Sequence, residues 1–537
     1  MGLDSGSVPQ ARGYKAIVFV ICIVAALGGL LFGLDQGFIA NALPTLAAHY
    51  GLEEDLHTQE SYSAILATGG IFGALLSGLL ARFLGRKKSL VLAGFIFCAA
   101  SAWSAFLPAL AVLSACRFAL GFGVGVASFV VPLYLSETAP ASIRGSMGTL
   151  FQLLITIGIF LISVTNVVIA RMIADSDKAL PLMFFTITFF ALFMFVGSFF
   201  LPESPRWLMI RGRKEQAEAV LRRTLNTGEE IDKEIGEIDE ALKQNQGSTT
   251  KLLVCLVLVL GVAFLLIQWQ SEAVQKFLEP DYLFQIVLLA CILLSFFFAP
   301  GYFRKVLIVG VVLQMFQQLV GINMMIYYAP TIFGYAGMKE MTIFGAPWTA
   351  GLLAMLTVPT VNMLFTFPAI SLVEKWGRKK LLYVGAAAMI VTMLAAGVVF
   401  QYIGGAADPA SIGGGAKALL LVAVILYIFG FAVSWGPVAW LVCSEIFPIE
   451  GREVGMTITT MVNWTFAGLV MGNSLSFMEK FGNASIFYLF AGFCVLAILF
   501  VAVFVPETKG VTLEEIEGSL KKGVALRKLG SHGQGAA

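Results

Sequence analysis

Long apolar runs separated by short polar loops dominate the chain. A helix that crosses a bilayer needs about 20 predominantly apolar residues. Six such runs lie near 16–47, 61–81, 89–107, 110–135, 147–170 and 181–201. A charged stretch follows, then two shorter runs near 252–268 and 282–299. Six more lie near 305–336, 350–373, 380–403, 416–443, 454–477 and 484–505. The pattern predicts an all-α polytopic membrane protein with fourteen spans.

The loops set the orientation. Arg82, Arg86, Lys87 and Lys88 follow the second run, and Lys375, Arg378, Lys379 and Lys380 follow the tenth. Arg304 and Lys305 precede the ninth. The opposite side carries His49, Glu53, Glu54, Asp55 and Glu60. Cytoplasmic loops are enriched in Lys and Arg, so both termini are expected in the cytoplasm. The largest polar insertion, 203–250, has helical periodicity with mixed charges, which predicts short amphipathic helices with a solvated face.

Composition agrees with this picture. The 537 residues are 58% hydrophobic and 13% charged, against about 25% charged in a soluble protein. A net charge of +2 suggests no nucleic-acid partner. Cys22, Cys98, Cys116, Cys255, Cys291, Cys443 and Cys494 all fall in apolar runs and read as packing residues. The first apolar run is too long for a signal-peptide core, so it is expected to remain as a span.

Against this apolar background, buried polar residues stand out. Gln314, Gln317, Gln318 and Asn323 lie within one run, with Gly321 among them to weaken the helix. Amides at membrane depth must face protein, water or a ligand. They donate and accept hydrogen bonds as sugar hydroxyls do, so four together point to a polyol site, with helix–helix contact as the plainer reading. Asp35, inside the first run, is a functional candidate because an intramembrane carboxylate is costly. Arg117 is its expected partner. At 1.5 Å per residue, Asp35 lies about 28 Å from the cytoplasmic start of its run and Arg117 roughly 10 Å from the outer start of its own. Both depths fall in the outer half. A static buried ion pair is the alternative.

The chain also repeats itself. Gly85-Arg86-Lys87-Lys88 recurs as Gly377-Arg378-Lys379-Lys380, Ser136-Glu137 as Ser444-Glu445, and Pro202-Glu203-Ser204 as Pro506-Glu507-Thr508. The separations, 292, 308 and 304 residues (from Gly85, Glu137 and Glu203), are near-constant and the order is kept. Two parallel halves of similar fold follow, with substrate expected between them at mid-membrane.

The ordered motifs GRKKS, PLYLSETAP, PESPRWL, QQLVGINMMIYYAP, EKWGRKK, WGPVAWLVCSEIFP and PETKGVTLEE closely resemble the sugar porter family of the major facilitator superfamily. That family includes bacterial proton–xylose and plant proton–hexose symporters and animal facilitative glucose transporters. The resemblance implies a major facilitator fold of two six-helix bundles rocking about a central sugar site. The chain then divides into a cytoplasmic N-terminus (1–15), a first bundle (16–201), a cytoplasmic helical linker (202–251), an extra hydrophobic hairpin (252–299), a second bundle (300–505) and a cytoplasmic tail (506–537). It also implies sugar contacts at Gln152, Gln317, Gln318, Asn323, Trp440 and Asn463, and a gate at Tyr327. It implies proton coupling at Asp35 and Arg117, since proton-using members carry Asp where many facilitative ones carry Asn. A cytoplasmic latch of ion pairs is implied at Arg86, Glu137, Arg144, Glu203, Arg206, Glu374, Arg378, Glu445, Arg452 and Glu507.

The expected activity is proton-coupled symport of a hexose or pentose in the cell membrane. The partners are then a monosaccharide, a proton and the lipid bilayer, and the chain acts as a monomer. The energy source is the proton gradient, with no cofactor. A facilitative sugar or polyol uniporter is the main alternative, and a non-transporting sugar sensor a remote one. An ATP-driven pump or enzyme is disfavoured because GxxxxGK[ST] is missing, and Gly121-Phe122-Gly123-Val124-Gly125 reads as close helix packing. Two departures from the family are the extra hairpin and Gly451-Arg452-Glu453 in place of Arg-Gly.

Overall fold

The computed structural model describes residues 16–243 and 301–524, apart from breaks at 53–54, 141–142, 174, 226, 337–340, 344–345, 349, 405–413, 449–450 and 512. The expected hairpin at 252–299 lies outside the described residues.

The first half contributes α1 (Ala16–Tyr50), α2 (Leu56–Phe83), α3 (Arg86–Ser104), α4 (Leu110–Thr138), α5 (Arg144–Met172) and α6 (Ser176–Ser198). The charged stretch forms α7 (Pro205–Ile210), α8 (Lys214–Thr224) and α9 (Gly228–Lys243). The second half begins with α10 (Gly301–Leu319), α11 (Ile322–Tyr327) and α12 (Ala329–Tyr335). A short ribbon of β1 (Met341–Ile343) and β2 (Ala346–Trp348) follows, antiparallel, with Met341 opposite Trp348. Then come α13 (Ala350–Trp376), α14 (Arg378–Gly404), α15 (Gly414–Val433), α16 (Trp435–Ile446), α17 (Arg452–Phe481), α18 (Ser485–Val503) and α19 (Leu513–Lys521).

Local chemistry sets the boundaries. The Asp55 carboxylate accepts the Thr58 N–H at 3.0 Å and caps α2. Gly85 and Gly377 occupy the left-handed region (φ 92° and 83°) at the entries to α3 and α14, so the repeated motif makes the same turn in both halves. Three features depart from expectation. The run at 305–336 is one span in the sequence but three helices here, broken at Gly321 (φ 96°) and Tyr328. The run at 416–443 breaks at Ser434. The ribbon is a small exception to the all-α class.

Eleven helical stretches among the described residues are long and apolar enough to cross a membrane, counting Gly301–Tyr327 and Gly414–Ile446 across their breaks. α3, opening on three basic residues, is not one of the eleven and packs on α4 and α6. In the first half α1 lies on α4, α5 and α6, and α2 on α4. In the second, α14 lies on α15 and α18, and α10 on α16 and α17. The halves meet where α2 packs on α17 and α5 on α13. Gly121 and Gly125 sit against the α2 backbone at Leu66 and Gly70, where an added Cβ has no room. These glycines serve close helix packing, as expected.

One face of α6 exposes Phe185, Phe189, Leu192, Phe193 and Val196. Their spacing of three to four residues makes an apolar stripe suited to hydrocarbon rather than water. The linker helices hold a small apolar core of their own, with Trp207, Leu208, Leu221, Ile231, Ile235 and Ile238 buried.

Candidate functional site

A cavity lies between the halves. The first half lines it with Phe32, Gln36, Gln152 and Ile155, the second with Gln317, Gln318, Asn323, Tyr327, Trp440, Asn463 and Trp464. All six expected sugar contacts and Tyr327 therefore face one space.

The broken helices create this wall. α10 ends at Leu319, and the left-handed Gly321 redirects the chain so that Gln317, Gln318 and Asn323 converge. The amides form a chain. Gln36 Nε2 donates to Asn323 Oδ1 at 2.7 Å, and Asn323 Nδ2 donates to Gln318 Oε1 at 2.6 Å. Gln318 Nε2 donates to Asn463 Oδ1 at 3.2 Å. Asn463 Nδ2 donates to Gln314 Oε1 at 2.7 Å and to Gln317 Oε1. Gln317 Nε2 donates to the Gly436 carbonyl at 3.2 Å. Gln314 is fully buried behind the wall and does not line the cavity; it supports Asn463 from α10.

Aromatic faces complete the cavity. Trp440 meets Phe151 edge-on with ring centroids 5.7 Å apart, and Trp464 packs on Phe32 at 5.0 Å. Gln152 approaches from the other half, beside Gly436, where an added Cβ would lie 3.2 Å from its Nε2. Amides beside aromatic faces suit a ring with polar hydroxyls on its edge and C–H groups on its face.

Asp35 is completely buried on α1 and Arg117 is 2% exposed on α4. Arg117 Nη1 lies 3.4 Å from Asp35 Oδ1. The guanidinium is also held by the Tyr62 carbonyl (Nε, 3.0 Å) and lies over the Tyr62 ring at 5.2 Å. Asp35 Oδ2 and Arg117 Nη2 have no hydrogen-bond partner among the described residues. A buried charge pair left half-satisfied adds little stability and calls for another explanation.

The charged motifs form two matching networks. The Arg86 guanidinium grips Glu137 with two bonds of 2.9 Å, and Ser204 Oγ donates to the same carboxylate at 2.5 Å. In the second half Arg378 grips Glu445 at 2.8 and 3.2 Å, and Thr508 Oγ1 donates to it at 2.6 Å. Glu203 accepts the N–H of Arg86 (2.8 Å) and Glu507 that of Arg378 (3.0 Å). These two glutamates cap helices. Burial pushes the Glu203 carboxyl up from its ordinary range, against the backbone donors that pull it down.

Between the halves, Glu453 lies 3.2 Å from Arg86 and 3.7 Å from Arg82. Gly145, at the start of α5, sits on the Glu374–Arg378 pair (3.5 Å) of the other half. Arg144 is buried beside it, and Arg452 donates to the Phe447 carbonyl at 3.1 Å. Arg206 departs from the expected latch: it pairs with Glu234 of α9 at 3.3 Å, inside the linker. It lies on α7, which Pro205 opens and which packs on α8 and α9 of the linker.

The sequence reading missed Gln36, Glu453, Ser204, Thr508 and Asn362, the last of which lines the cavity from α13. For Gln36 the signal was present, as an amide next to a carboxylate in an apolar run. Glu453 stood out only as a motif departure.

A model of the "Sugar (and other) transporter" family matches residues 21–277 and 288–520. The chain belongs to the sugar transporter family. Among sugar transporters it is 37% identical to the galactose-proton symporter of Escherichia coli K12, over 97% of this chain and 98% of that one. It is 33% identical to the arabinose-proton symporter of the same strain, over 98% of each. Of solved structures, the proton:xylose symporter XylE bound to 6-bromo-6-deoxy-D-glucose shares 28% identity and a TM-score of 0.72, covering 93% of this chain and 98% of that one. As a member of this family the chain is a multi-pass membrane transporter, not an enzyme.

Proposed function

We propose that this chain is a proton-coupled monosaccharide symporter working by alternating access, with a hexose or pentose as substrate. The carrying observation is the buried Asp35, facing Arg117 and adjacent in sequence to a residue that lines the amide cavity. A carboxyl in that position takes up a proton at Oδ2 and loses its attraction to Arg117. The Tyr62 carbonyl and ring still hold the guanidinium. Occupation of the proton site thereby changes which arrangement of α1 and α4 is favoured.

Gln152, Gln317, Gln318, Asn323 and Asn463 bind sugar hydroxyls, Trp440 covers the ring face, and Tyr327 closes the outer side. Relatives named for galactose, arabinose and xylose support a monosaccharide as cargo. The proton gradient is the energy source, without a cofactor. The chain acts as a monomer in the cell membrane, and the basic loops support both termini lying in the cytoplasm. Arg86, Glu137, Glu374, Arg378, Glu445 and Glu453, with Arg144 and Arg452 beside them, latch the cytoplasmic side.

The test is uptake of labelled galactose, arabinose, xylose, glucose and inositol into proteoliposomes, with and without an imposed proton gradient. Wild type is expected to accumulate a monosaccharide against its gradient. Asp35→Asn is expected to abolish accumulation while retaining sugar exchange. A variant that still accumulates sugar would move the proton site elsewhere, and a wild type that only equilibrates would make the protein a uniporter.

A further inference from the structure

The hydrogen-bonded amides of the cavity are tied across the halves. Gln317, Gln318, Asn323 and Asn463 all come from the second half, yet their hydrogen-bonded chain ends on Gln36 of α1. Gln36 is 7% exposed and lines the cavity. Its bond to Asn323, at 2.7 Å, joins the two halves through side chains alone. Gln36 also directly follows Asp35.

We propose that Gln36 is a positioning residue that couples occupation of the sugar cavity to the Asp35–Arg117 pair. The inference rests on the symport reading above and assigns one residue the task of linking its two sites. Successive residues on a helix point about 100° apart. Asp35 therefore reaches α4 while Gln36 reaches α11. One turn of α1 is tied on two sides to the proton site and the sugar site.

That turn has little freedom to absorb a pull. Gly33 and Gly37 flank it, one helical turn apart, and both press on α5 at Ile155 and Ile159. An added Cβ on Gly37 would come within 2.6 Å of Ile162 Cγ2. With its back against α5, the turn responds to its ties by rotating or shifting along its axis. The charged and titratable groups facing Asp35 are Arg117 from α4, Tyr62 from α2 and Tyr327 from α11. α5 faces the turn with Ile155, Gly158 and Ile159.

A sugar hydroxyl entering beside Asn323 competes for the Oδ1 that Gln36 now occupies. When the hydroxyl takes it, Gln36 is released and the tie between α1 and α11 is broken or remade through the sugar. Asp35 moves with its neighbour, so sugar changes the proton site, and protonation in turn changes sugar affinity. Linkage makes the two effects equal.

The test uses the full-length protein in proteoliposomes, with labelled D-galactose, L-arabinose or D-xylose, whichever wild type takes up. Half-saturation for sugar counterflow is measured from about pH 5.5 to about pH 8. Wild type is expected to show a rise of about tenfold across that range, within the usual span of coupling strengths. Gln36→Leu is expected to shift the half-saturation at any one pH but to let it vary less than about twofold across the range. A purely structural role would instead multiply the half-saturation by the same factor at every pH. Gln36→Asn, which keeps an amide but falls short of Asn323, carries the same expectation if the leucine variant does not fold. A Gln36 variant with the wild-type pH dependence overturns the inference and leaves the symport reading standing. A wild type whose sugar affinity ignores pH overturns both.

Discussion

At the scale of single residues, the cavity amides are already satisfied by one another. Gln317 and Asn463 take part in six of the bonds around the wall. A sugar must therefore exchange amide–amide bonds for amide–hydroxyl bonds. The net gain per hydrogen bond is about 1 kcal/mol. Gln317→Ala should thus raise the half-saturating sugar concentration by about fivefold, read by counterflow, while the uphill accumulation ratio per bound sugar is kept. Trp440→Ala should lower affinity by a comparable factor, because an aromatic face adds about 0.5–1.5 kcal/mol beyond its buried area. A Trp440→Phe variant should recover most of it, whereas a residue that only packs would show no preference for an aromatic ring. These residues were legible in the sequence because amides are costly in apolar runs. Gln36 was visible for the same reason, but its partner Asn323 lies 287 residues away and no spacing connects them.

At the scale of elements, the break between α10 and α11 makes the site. Gly321 holds φ at 96°, and an added Cβ would come 2.6 Å from the Phe490 ring. A non-glycine residue in such a conformation costs on the order of 1–3 kcal/mol. Gly321→Ala is expected to lower the melting temperature of the purified protein and to weaken sugar binding together. Gly334→Ala, on the neighbouring α12 with open space around it, should change neither. Thermal unfolding followed in detergent checks both. The sequence marked Gly321 as a weak point in a single span. It did not fix the interruptions at Tyr328 and Ser434, although Pro330 and Gly436-Pro437 just beyond them are breaking signals, because such signals do not say at which residue the helix ends. The ribbon at Met341–Trp348 was likewise hidden, since three-residue strands leave no readable periodicity.

At the scale of the whole molecule, two copies of one charged network join equivalent helix ends in the two halves. Within each half the bonds are symmetric, with Arg86–Glu137 answering Arg378–Glu445. Across the halves they are not: Glu453 reaches Arg82 and Arg86 from α17. Removing that attraction should favour opening toward the cytoplasm. Glu453→Gln is expected to shift the ratio of states by about 1 kcal/mol, roughly fivefold. Hydrogen exchange at the cytoplasmic ends of α2 and α17 should speed up accordingly, with α3 unchanged because its Glu137 and Glu203 contacts remain. Unchanged exchange at α2 and α17 would mean that Glu453 only neutralises Arg86.

By itself the sequence determined the helical membrane character, the two-fold repeat and the identities of most cavity residues. Each rests on local chemistry: apolar length sets the spans, repeated glycine–arginine turns mark the halves, and buried amides and carboxylates are too costly to occur without a use. Only the tertiary structure decided which half each polar group faces, that Arg206 turns to the linker, that Glu453 bridges the halves and that Gln36 meets Asn323. Those pairings depend on how helices far apart in the chain rotate against one another. Close packing through Gly33, Gly37, Gly121 and Gly125 sets that rotation, and linear spacing does not encode it.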